Sequence, residues 1–270
     1  NGTARIQWGT KLIDLVKNQN IGGVIFFQGG PGRQARITNK LNANSKLPLF
    51  VGIDAEWGLG MRLDSTYIYP WNMNLGAIQD MNLIEMMGKQ MGEQAIRAGI
   101  HFNFAPVVDI NINPKNPVIG NRSFGESKEN VTERAIALVK GIQSENVFAT
   151  AKHFPGHGDT STDSHHALPH LDFSKSRMTE VELYPYRRLF KNGLASVMVA
   201  HLDVPSLEPE KGVPTSLSYK TITTLLKEEM GFEGLIFTDA LNMKGASNFK
   251  SPGDIDVAAF IAGNDVLLFA

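Results

Sequence analysis

The sequence alternates between short apolar runs rich in β-branched and aromatic residues and longer stretches with helical spacing. Strands that alternate with helices form parallel βαβ units. Seven such units in 270 residues favour an α/β fold, a (β/α)₈ barrel of the TIM type. The apolar runs cover residues 21–28, 48–54, 101–110, 146–154, 195–204, 234–241 and 264–270. Helices are predicted over 5–19, 33–45, 81–99, 127–145, 178–192, 219–230 and 253–262.

The count is one strand short of eight, so we expect the first strand of the barrel to be absent or altered. An open Rossmann sheet suits the sequence less well, because no Gly-x-Gly-x-x-Gly motif follows a first strand. No linker or low-complexity tract divides the chain. We therefore predict one domain over residues 1–270.

The composition removes several classes of function. The net charge is −1 and no run of like charges stands out, which argues against a nucleic-acid or anionic-membrane surface. The absence of cysteine excludes disulfides, thiolate zinc sites and cysteine nucleophiles. No apolar run approaches the length of a membrane span, and the N-terminus lacks the apolar core of a signal peptide.

Titratable residues end five of the seven apolar runs. Catalytic groups of α/β barrels lie at the carboxyl ends of the strands, so this pattern indicates an enzyme. An Asp in such a position can also cap the following helix. The residues alone leave both roles open. The positions are Asp54, Asp109, Lys152 with His153, His201 and Asp239.

The segment 151–170 holds five of the seven histidines. A shared metal site is not expected, because Pro155 and Gly156 prevent His153 and His157 from lying on one helical face. Asp163 precedes His165 by two residues and can fix the tautomer of that imidazole for proton transfer. A solvated Asp–His pair is the alternative.

Other polar residues allow two interpretations each. Arg122, in a Gly- and Pro-flanked loop, can clamp an anion or a sugar hydroxyl, or pair with Glu126. His201 can line a pocket or be a hydrogen-bonded core residue. We expect the remaining members of the histidine-rich segment to play structural roles, His157 and Asp159 by positioning the loop and His166 and His170 on its surface. The sequence contains no Gly-x-Ser-x-Gly motif of a serine hydrolase.

Five separated motifs resemble the N-terminal catalytic domain of glycoside hydrolase family 3, and within it the bacterial β-N-acetylglucosaminidases. They are KHFPGHG at 152–158, DSH at 163–165, GNRSFGES, IDAEWGLGMR and the closing AGNDVLL, in the family's order and spacing. The resemblance covers nearly the whole chain and implies a (β/α)₈ barrel. Trp57 departs from the glycine that many members carry, which concerns the rim of the sugar pocket.

The resemblance also implies the site. The nucleophile falls on Asp239, and the proton donor falls on His165, supported by Asp163. No cofactor and no metal are implied. The sugar-binding positions fall on Asp54, Arg62, Arg122, Lys152 and His153.

The implied activity is that of a retaining exo-β-N-acetylglucosaminidase that acts through a covalent glycosyl–Asp intermediate. Its partner is a small carbohydrate, such as a GlcNAc-terminated glycan or a peptidoglycan-derived muropeptide, with water or phosphate as acceptor. The alternatives are a β-glucosidase or xylosidase of the same family, a non-catalytic sugar-binding domain, and a metal-dependent hydrolase. The resemblance allows a further C-terminal domain and either a cytoplasmic or an exported location, of which we favour export to the periplasm.

Overall fold

A single parallel sheet organises the fold. The computed structural model describes residues 11–164 and 166–269, and in this part of the chain six strands follow one another in sequence order across the sheet. Sequential parallel order with helical crossovers is the topology of an α/β barrel, as predicted. The strands are β1 Gly23–Ile25, β2 Phe50–Ile53, β3 Phe102–Asn103, β4 Phe148–Phe154, β5 Ser196–Val199 and β6 Leu235–Thr238.

The predicted helical stretches are confirmed to within a few residues, apart from residues 5–10, which lie outside the described residues. The stretch 178–192 divides into two helices, and two short helices were not predicted. The helices are α1 Leu15–Gln19 and α8 Lys220–Glu229, both π-helical, and the α-helices α2 Pro31–Asn42, α3 Asn72–Leu75, α4 Met81–Arg97, α5 Lys128–Ser144, α6 Lys175–Glu180, α7 Tyr184–Phe190, α9 Lys244–Ser247 and α10 Asp254–Ala262.

Two predicted strands differ from the structure. The run 101–110 gives only the two residues of β3, because Pro106 has no N–H for the ladder; pairing resumes as a single bridge from Val107 to Lys152. Within the described residues the run 264–270 contributes one bridge, Val266 to Phe237. The expectation of an absent or altered first strand stays a prediction, since residues 1–10 are outside the described part.

Apolar side chains fill the interior of the barrel. Phe102, Phe104, Met198 and Phe237 are each less than 5% exposed. The Phe237 ring centroid lies 5.1 Å from that of Phe102 and 5.4 Å from that of Phe104. A larger apolar cluster lies between the sheet and the helices. Side chains therefore fill the interior of the barrel, and its open space lies at the carboxyl ends of the strands.

Helices α4 and α5 approach each other closely at glycines. A Cβ on Gly141 would lie 2.1 Å from the carbonyl oxygen of Glu85, so no larger residue fits there. On α4, Ile84, Met87 and Met91 are at most 9% exposed and pack in the core. Leu83 and Met86 are instead more than half exposed. Among the described residues, no helix is both long enough and apolar enough to cross a bilayer.

Candidate active site

A cavity of about 500 Å³ opens at the carboxyl ends of the strands. Its size lies in the range of ligand pockets, about 300–1,000 Å³. Asp54 follows β2 directly, Lys152 and His153 lie near the end of β4, and Asp239 follows β6 directly. The polar groups that line the cavity are Asp54, Glu56, Arg62, Arg122, Lys152, His153, His157, Ser164, Asp239 and Asn242.

Lys152 is the centre of a buried charge network. It is 2% exposed, and its Nζ lies 2.8 Å from both Asp54 Oδ1 and Glu56 Oε1. Burial by itself would lower the pKa of Lys152, but the two carboxylates more than offset burial and raise this pKa above its ordinary value. The ammonium therefore stays charged and can donate to a bound ligand.

Glu56 is a member of this network that the sequence interpretation missed. Its carboxylate is fully buried and accepts from Arg122 Nε at 3.0 Å and from Arg122 Nη2 at 2.7 Å. Burial would raise the pKa of Glu56, but Lys152 and Arg122 hold it well below its usual range. The partner of Arg122 is thus Glu56, which leaves no support for the proposed pairing with Glu126. The sequence feature that could have indicated Glu56 is its position two residues after Asp54 in GIDAEWG.

Arg62 closes the network on the outer side. Its Nη2 lies 2.8 Å from Asp54 Oδ2, and its guanidinium sits over the Phe27 ring at 5.3 Å from the centroid. Asp54 therefore contacts two cations at once, and its position is fixed before any ligand binds.

Asp109 holds the turn after β4 from beneath the cavity. It is 1% exposed. Both of its carboxylate oxygens accept from the backbone N–H of His153, at 3.2 and 3.3 Å, and Oδ1 also accepts from the backbone N–H of His157 at 2.6 Å. Its Oδ2 also lies 2.6 Å from His153 Nδ1. Burial opposes ionisation, yet these histidine contacts lower the pKa of Asp109 below its ordinary value. Sequence reasoning placed Asp109 at a strand end but gave it no partner.

These contacts also select one tautomer of His153. A proton on Nδ1 is donated to Asp109, and Nε2 then accepts from Arg122 Nη2 at 3.3 Å. The ring is therefore oriented from two sides, 7% exposed and facing the cavity.

Asp239 presents a partly exposed carboxylate to the cavity. Its Oδ1 accepts the N–H of Ala240 at 2.8 Å. Burial would raise the pKa of Asp239, but His201, His153, the Ala240 N–H and Lys152 lower it below the ordinary value. Asp239 is thus a carboxylate near neutral pH, the form in which it can act as a nucleophile.

The loop after β4 brings His157 and Ser164 to the cavity wall. His157 is 2% exposed; its Nδ1 lies 2.7 Å from Thr160 Oγ1 and its Nε2 lies 3.2 Å from Ser164 Oγ. Burial, and to a lesser extent the neighbouring His153, lowers the pKa of His157, so this ring is neutral near pH 7. As expected, His157 positions the loop, though its ring also lines the cavity.

Asp163 lies on the same loop, and His165 lies outside the described residues. The Asp163 side chain is 29% exposed, its carboxylate lies 3.9 Å from His166 Nε2, and its carbonyl oxygen accepts from Ala167 N–H at 3.1 Å. Asp163 itself does not line the cavity, whereas its neighbour Ser164 does. The Asp–His dyad therefore stays a prediction.

The outer edge of the loop is tied to α6 and the turn that follows it. Arg177 contacts Asp159 at 3.1 Å and also pairs with Glu182. Gly156 has φ +139°, and a Cβ there would lie 2.7 Å from Glu182 Cβ, so the turn requires glycine. Burial outweighs the arginine and raises the pKa of both Asp159 and Glu182. Asp159 thus positions the loop, as expected.

Three further histidines, His166, His170 and His201, do not line the cavity. His201 is completely buried and bonds Ser216 Oγ at 2.6 Å and the Ala240 carbonyl at 3.0 Å, which settles it as a core residue. His166 and His170 are exposed, and His170 Nδ1 lies 2.8 Å from Asp203 Oδ2. Across residues 11–164 and 166–269, no three His, Asp or Glu side chains converge as a metal site would require.

An α/β barrel with carboxylates, a lysine and a histidine gathered at its strand ends belongs to the class of TIM-type enzyme domains. The chain belongs to glycosyl hydrolase family 3, whose N-terminal domain matches residues 5–270.

Named relatives agree with this assignment. Beta-hexosaminidase A of Pseudoalteromonas piscicida is 36% identical over 96% of this chain and 47% of its own length. Beta-hexosaminidase of Nitrosomonas eutropha is 32% identical over 92% of this chain and 73% of its own length. The chain thus spans about half of the first relative and about three quarters of the second.

Solved structures show the same fold. A glycoside hydrolase family 3 beta-N-acetylglucosaminidase from Paenibacillus sp. str. FPU-7 superposes with a TM-score of 0.90 at 39% identity, over 95% of this chain and 50% of that one. Beta-glucoside phosphorylase BglX superposes with a TM-score of 0.88 at 26% identity, over 92% of this chain and 47% of that one.

Proposed function

We propose that this chain is the catalytic domain of a retaining exo-β-N-acetylglucosaminidase. It would release terminal GlcNAc from glycosides such as peptidoglycan-derived muropeptides. The observation that carries the proposal is the position of Asp239, an ionised carboxylate that shares one cavity with the network of Asp54, Arg122 and Lys152. The names of the relatives support the choice of substrate.

The first step forms a covalent intermediate. Asp239 attacks the anomeric carbon while the bond from that carbon to the aglycone oxygen breaks, and His165 gives its proton to the departing oxygen. Asp163 holds the imidazole and stabilises its cationic form before the transfer. A glycosyl ester on Asp239 and a neutral His165 remain.

The second step releases the sugar. His165 takes a proton from a water molecule, whose oxygen attacks the anomeric carbon and displaces the Asp239 carboxylate. Two inversions at one carbon retain the β configuration. Phosphate in place of water would give a glycosyl phosphate by the same route.

The charge network would hold the sugar in place. Asp54 accepts from sugar hydroxyls, and Arg62, Arg122 and Lys152 donate to them, because each is already oriented by an ionic partner in the network. His153, fixed by Asp109, contributes a further polar contact. Preformed geometry of this kind lowers the entropy lost when the transition state forms.

Assays on aryl β-N-acetylglucosaminide and aryl β-glucoside test the proposal. Asp239→Asn should lower kcat on the preferred substrate by about 10⁴-fold or more, since no nucleophile remains. The matched control is Asp203→Asn, which changes an Asp outside the cavity that pairs with the exposed His170 and should leave kcat within about twofold.

Three outcomes would contradict parts of the proposal. Equal rates for wild type and Asp239→Asn would refute both the assignment of Asp239 as nucleophile and the proposed mechanism. A preference for the glucoside would make the chain a β-glucosidase of the family. We expect a strong chelator to leave the activity unchanged; loss of activity would favour a metal-dependent hydrolase.

We also propose that residues 1–270 act as one catalytic unit, which a folded, active protein of this length would support.

A further inference from the structure

Two tryptophans form an exposed aromatic surface at the mouth of the cavity. Trp57 and Trp71 both line it, with ring centroids 4.2 Å apart and planes tilted by 41°. Trp71 is 44% exposed, whereas Lys152 and His153 in the same cavity are 2% and 7% exposed. The polar network therefore lies at the buried end, and the indole of Trp71 lies where the cavity meets solvent.

The backbone holds this pair rigidly. The Trp57 carbonyl accepts the N–H of Tyr69 at 3.0 Å, which joins the two arms of the segment 57–71. Gly58 has φ +90°, and a Cβ there would lie 2.7 Å from the Tyr69 ring, so the close approach of the arms depends on glycine.

Trp71 is also coupled to the charge network. The next residue, Asn72, is 1% exposed and donates from Nδ2 to the Arg122 carbonyl at 2.7 Å. Arg122 in turn carries the guanidinium that binds Glu56. The aromatic surface and the proposed sugar-binding groups are thus parts of one connected, preformed structure.

A large exposed indole on a cavity wall is suited to an apolar surface of matching size. A β-linked 2-acetamido sugar has its ring substituents equatorial, so each face of the pyranose presents axial C–H groups. Such a face is flat and apolar, and it can lie on an indole while the hydroxyls at the ring edge stay in water. A departing group that leaves the buried end of the cavity would pass this surface.

We infer that Trp57 and Trp71 form an aglycone subsite that binds the pyranose ring on the leaving-group side of the scissile bond. The inference rests on the proposed function, since it needs a terminal sugar at the buried end. It assigns preference for oligosaccharides over simple glycosides to Trp71, and it gives Trp57 the role of supporting the Trp71 ring. The second sugar adds affinity through contact area, without adding a charge.

The test uses Asp239→Asn protein, which would leave glycosidic bonds intact. The dissociation constants of β-1,4-linked N,N′-diacetylchitobiose and of methyl β-N-acetylglucosaminide are measured by titration calorimetry. Loss of on the order of 50 Å² of apolar contact corresponds to about tenfold in affinity. Adding Trp71→Ala should therefore weaken disaccharide binding about tenfold more than it weakens binding of the methyl glycoside.

Two further variants complete the design. Trp71→Phe keeps an aromatic face and should restore most of the disaccharide preference. Tyr67→Ala removes another exposed aromatic of the same segment, 62% exposed and outside the cavity lining, and should leave both constants within about twofold. Thermal unfolding checks that each variant is folded. If Trp71→Ala is not folded, Trp71→Leu takes its place, because leucine keeps an apolar side chain but has no flat ring and should weaken disaccharide binding in the same way.

The outcomes separate this inference from the proposed function. An unchanged ratio of the two constants in Trp71→Ala or Trp71→Leu, with both ligands still bound, would overturn the subsite. Binding with the expected ratio but no hydrolysis by the wild-type protein would overturn the activity and keep the subsite. Failure of both sugars to bind would overturn both.

Discussion

The two sides of the cavity are built differently. On one side, charges at the strand ends hold one another: Lys152 has two carboxylate partners, and Arg122 bonds Glu56 through two nitrogens. On the other side, a loop after β4 is secured at its base by Asp109 and at its edge by Arg177. The loop then extends to His166, which is exposed. The strand-end side therefore suits binding that requires no rearrangement, whereas the loop side carries Asp163, whose part in proton transfer is a proposal.

The largest expected effect comes from breaking the strand-end network. Lys152→Met removes the cation that Asp54 and Glu56 share and leaves each carboxylate with one arginine partner. Removing one member of a buried ionic network costs up to about 3–5 kcal/mol of stability. Urea unfolding measures the loss. The matched control, Lys175→Met, breaks an exposed pair with Glu229 at 3.0 Å and should cost no more than about 1 kcal/mol. Equal losses in the two variants would mean that the network contributes no more than a surface pair.

The next effect concerns the base of the loop. Asp109→Asn puts an amide where the carboxylate now accepts three N–H donors, so the turn shifts and the His153 tautomer is no longer selected. We expect kcat/KM to fall by about 10²-fold, since loss of a tautomer-selecting Asp can cost up to about 10⁴-fold. Asp203→Asn changes a comparable Asp–His pair, in which Asp203 Oδ2 lies 2.8 Å from His170 Nδ1, and should have little effect because this pair lies outside the cavity. An unchanged kcat/KM and pH profile in Asp109→Asn would remove its positioning role.

The pH dependence of stability should have opposite signs on the two sides. The pKa of Glu56 is lowered on folding, so its contribution is present above the unfolded pKa of about 4.3 and is lost as pH falls towards the folded value. The pKa of Glu182 is raised, so its contribution is present below about pH 4.3 and is lost as pH rises through the folded value.

Urea unfolding of Glu56→Gln and Glu182→Gln between pH 3.5 and 6 measures these signs. The stability advantage of wild type over Glu56→Gln should shrink as pH falls, and its advantage over Glu182→Gln should shrink as pH rises. Parallel pH profiles for the two variants would contradict the comparison.

The smallest effect is expected for the exposed histidines. His166→Ala and His170→Ala should leave kcat/KM within about twofold and stability within about 0.5 kcal/mol, because surface substitutions away from special features have little effect. Glycosidase assays and thermal unfolding check this. A drop comparable to that of Asp109→Asn would place one of these rings in the proton-transfer step and refute the passive role given to it.

Much of the site followed from the chain alone, because the alternation of strands and helices fixes where strands end. Asp54, Lys152, His153 and Asp239 were predicted in this way, and the structure places all four on one cavity. Glu56 was missed because it lies inside a loop and its partners are Arg122 and Lys152, 66 and 96 residues away in sequence. The aromatic pair was missed for the same reason: Trp57 was singled out by residue type, but nothing local joined it to Trp71.

The sequence by itself determined the parallel barrel topology, the positions of most helices and several of the residues at the carboxyl ends of the strands. These features depend on local periodicity and on short connections, which a single chain displays directly. The tertiary structure alone decided the partners: Arg122 with Glu56, Asp109 with His153, and His201 with Ser216 in the core. Such contacts join distant segments, and only the geometry of the folded chain selects one of several chemically equivalent pairings.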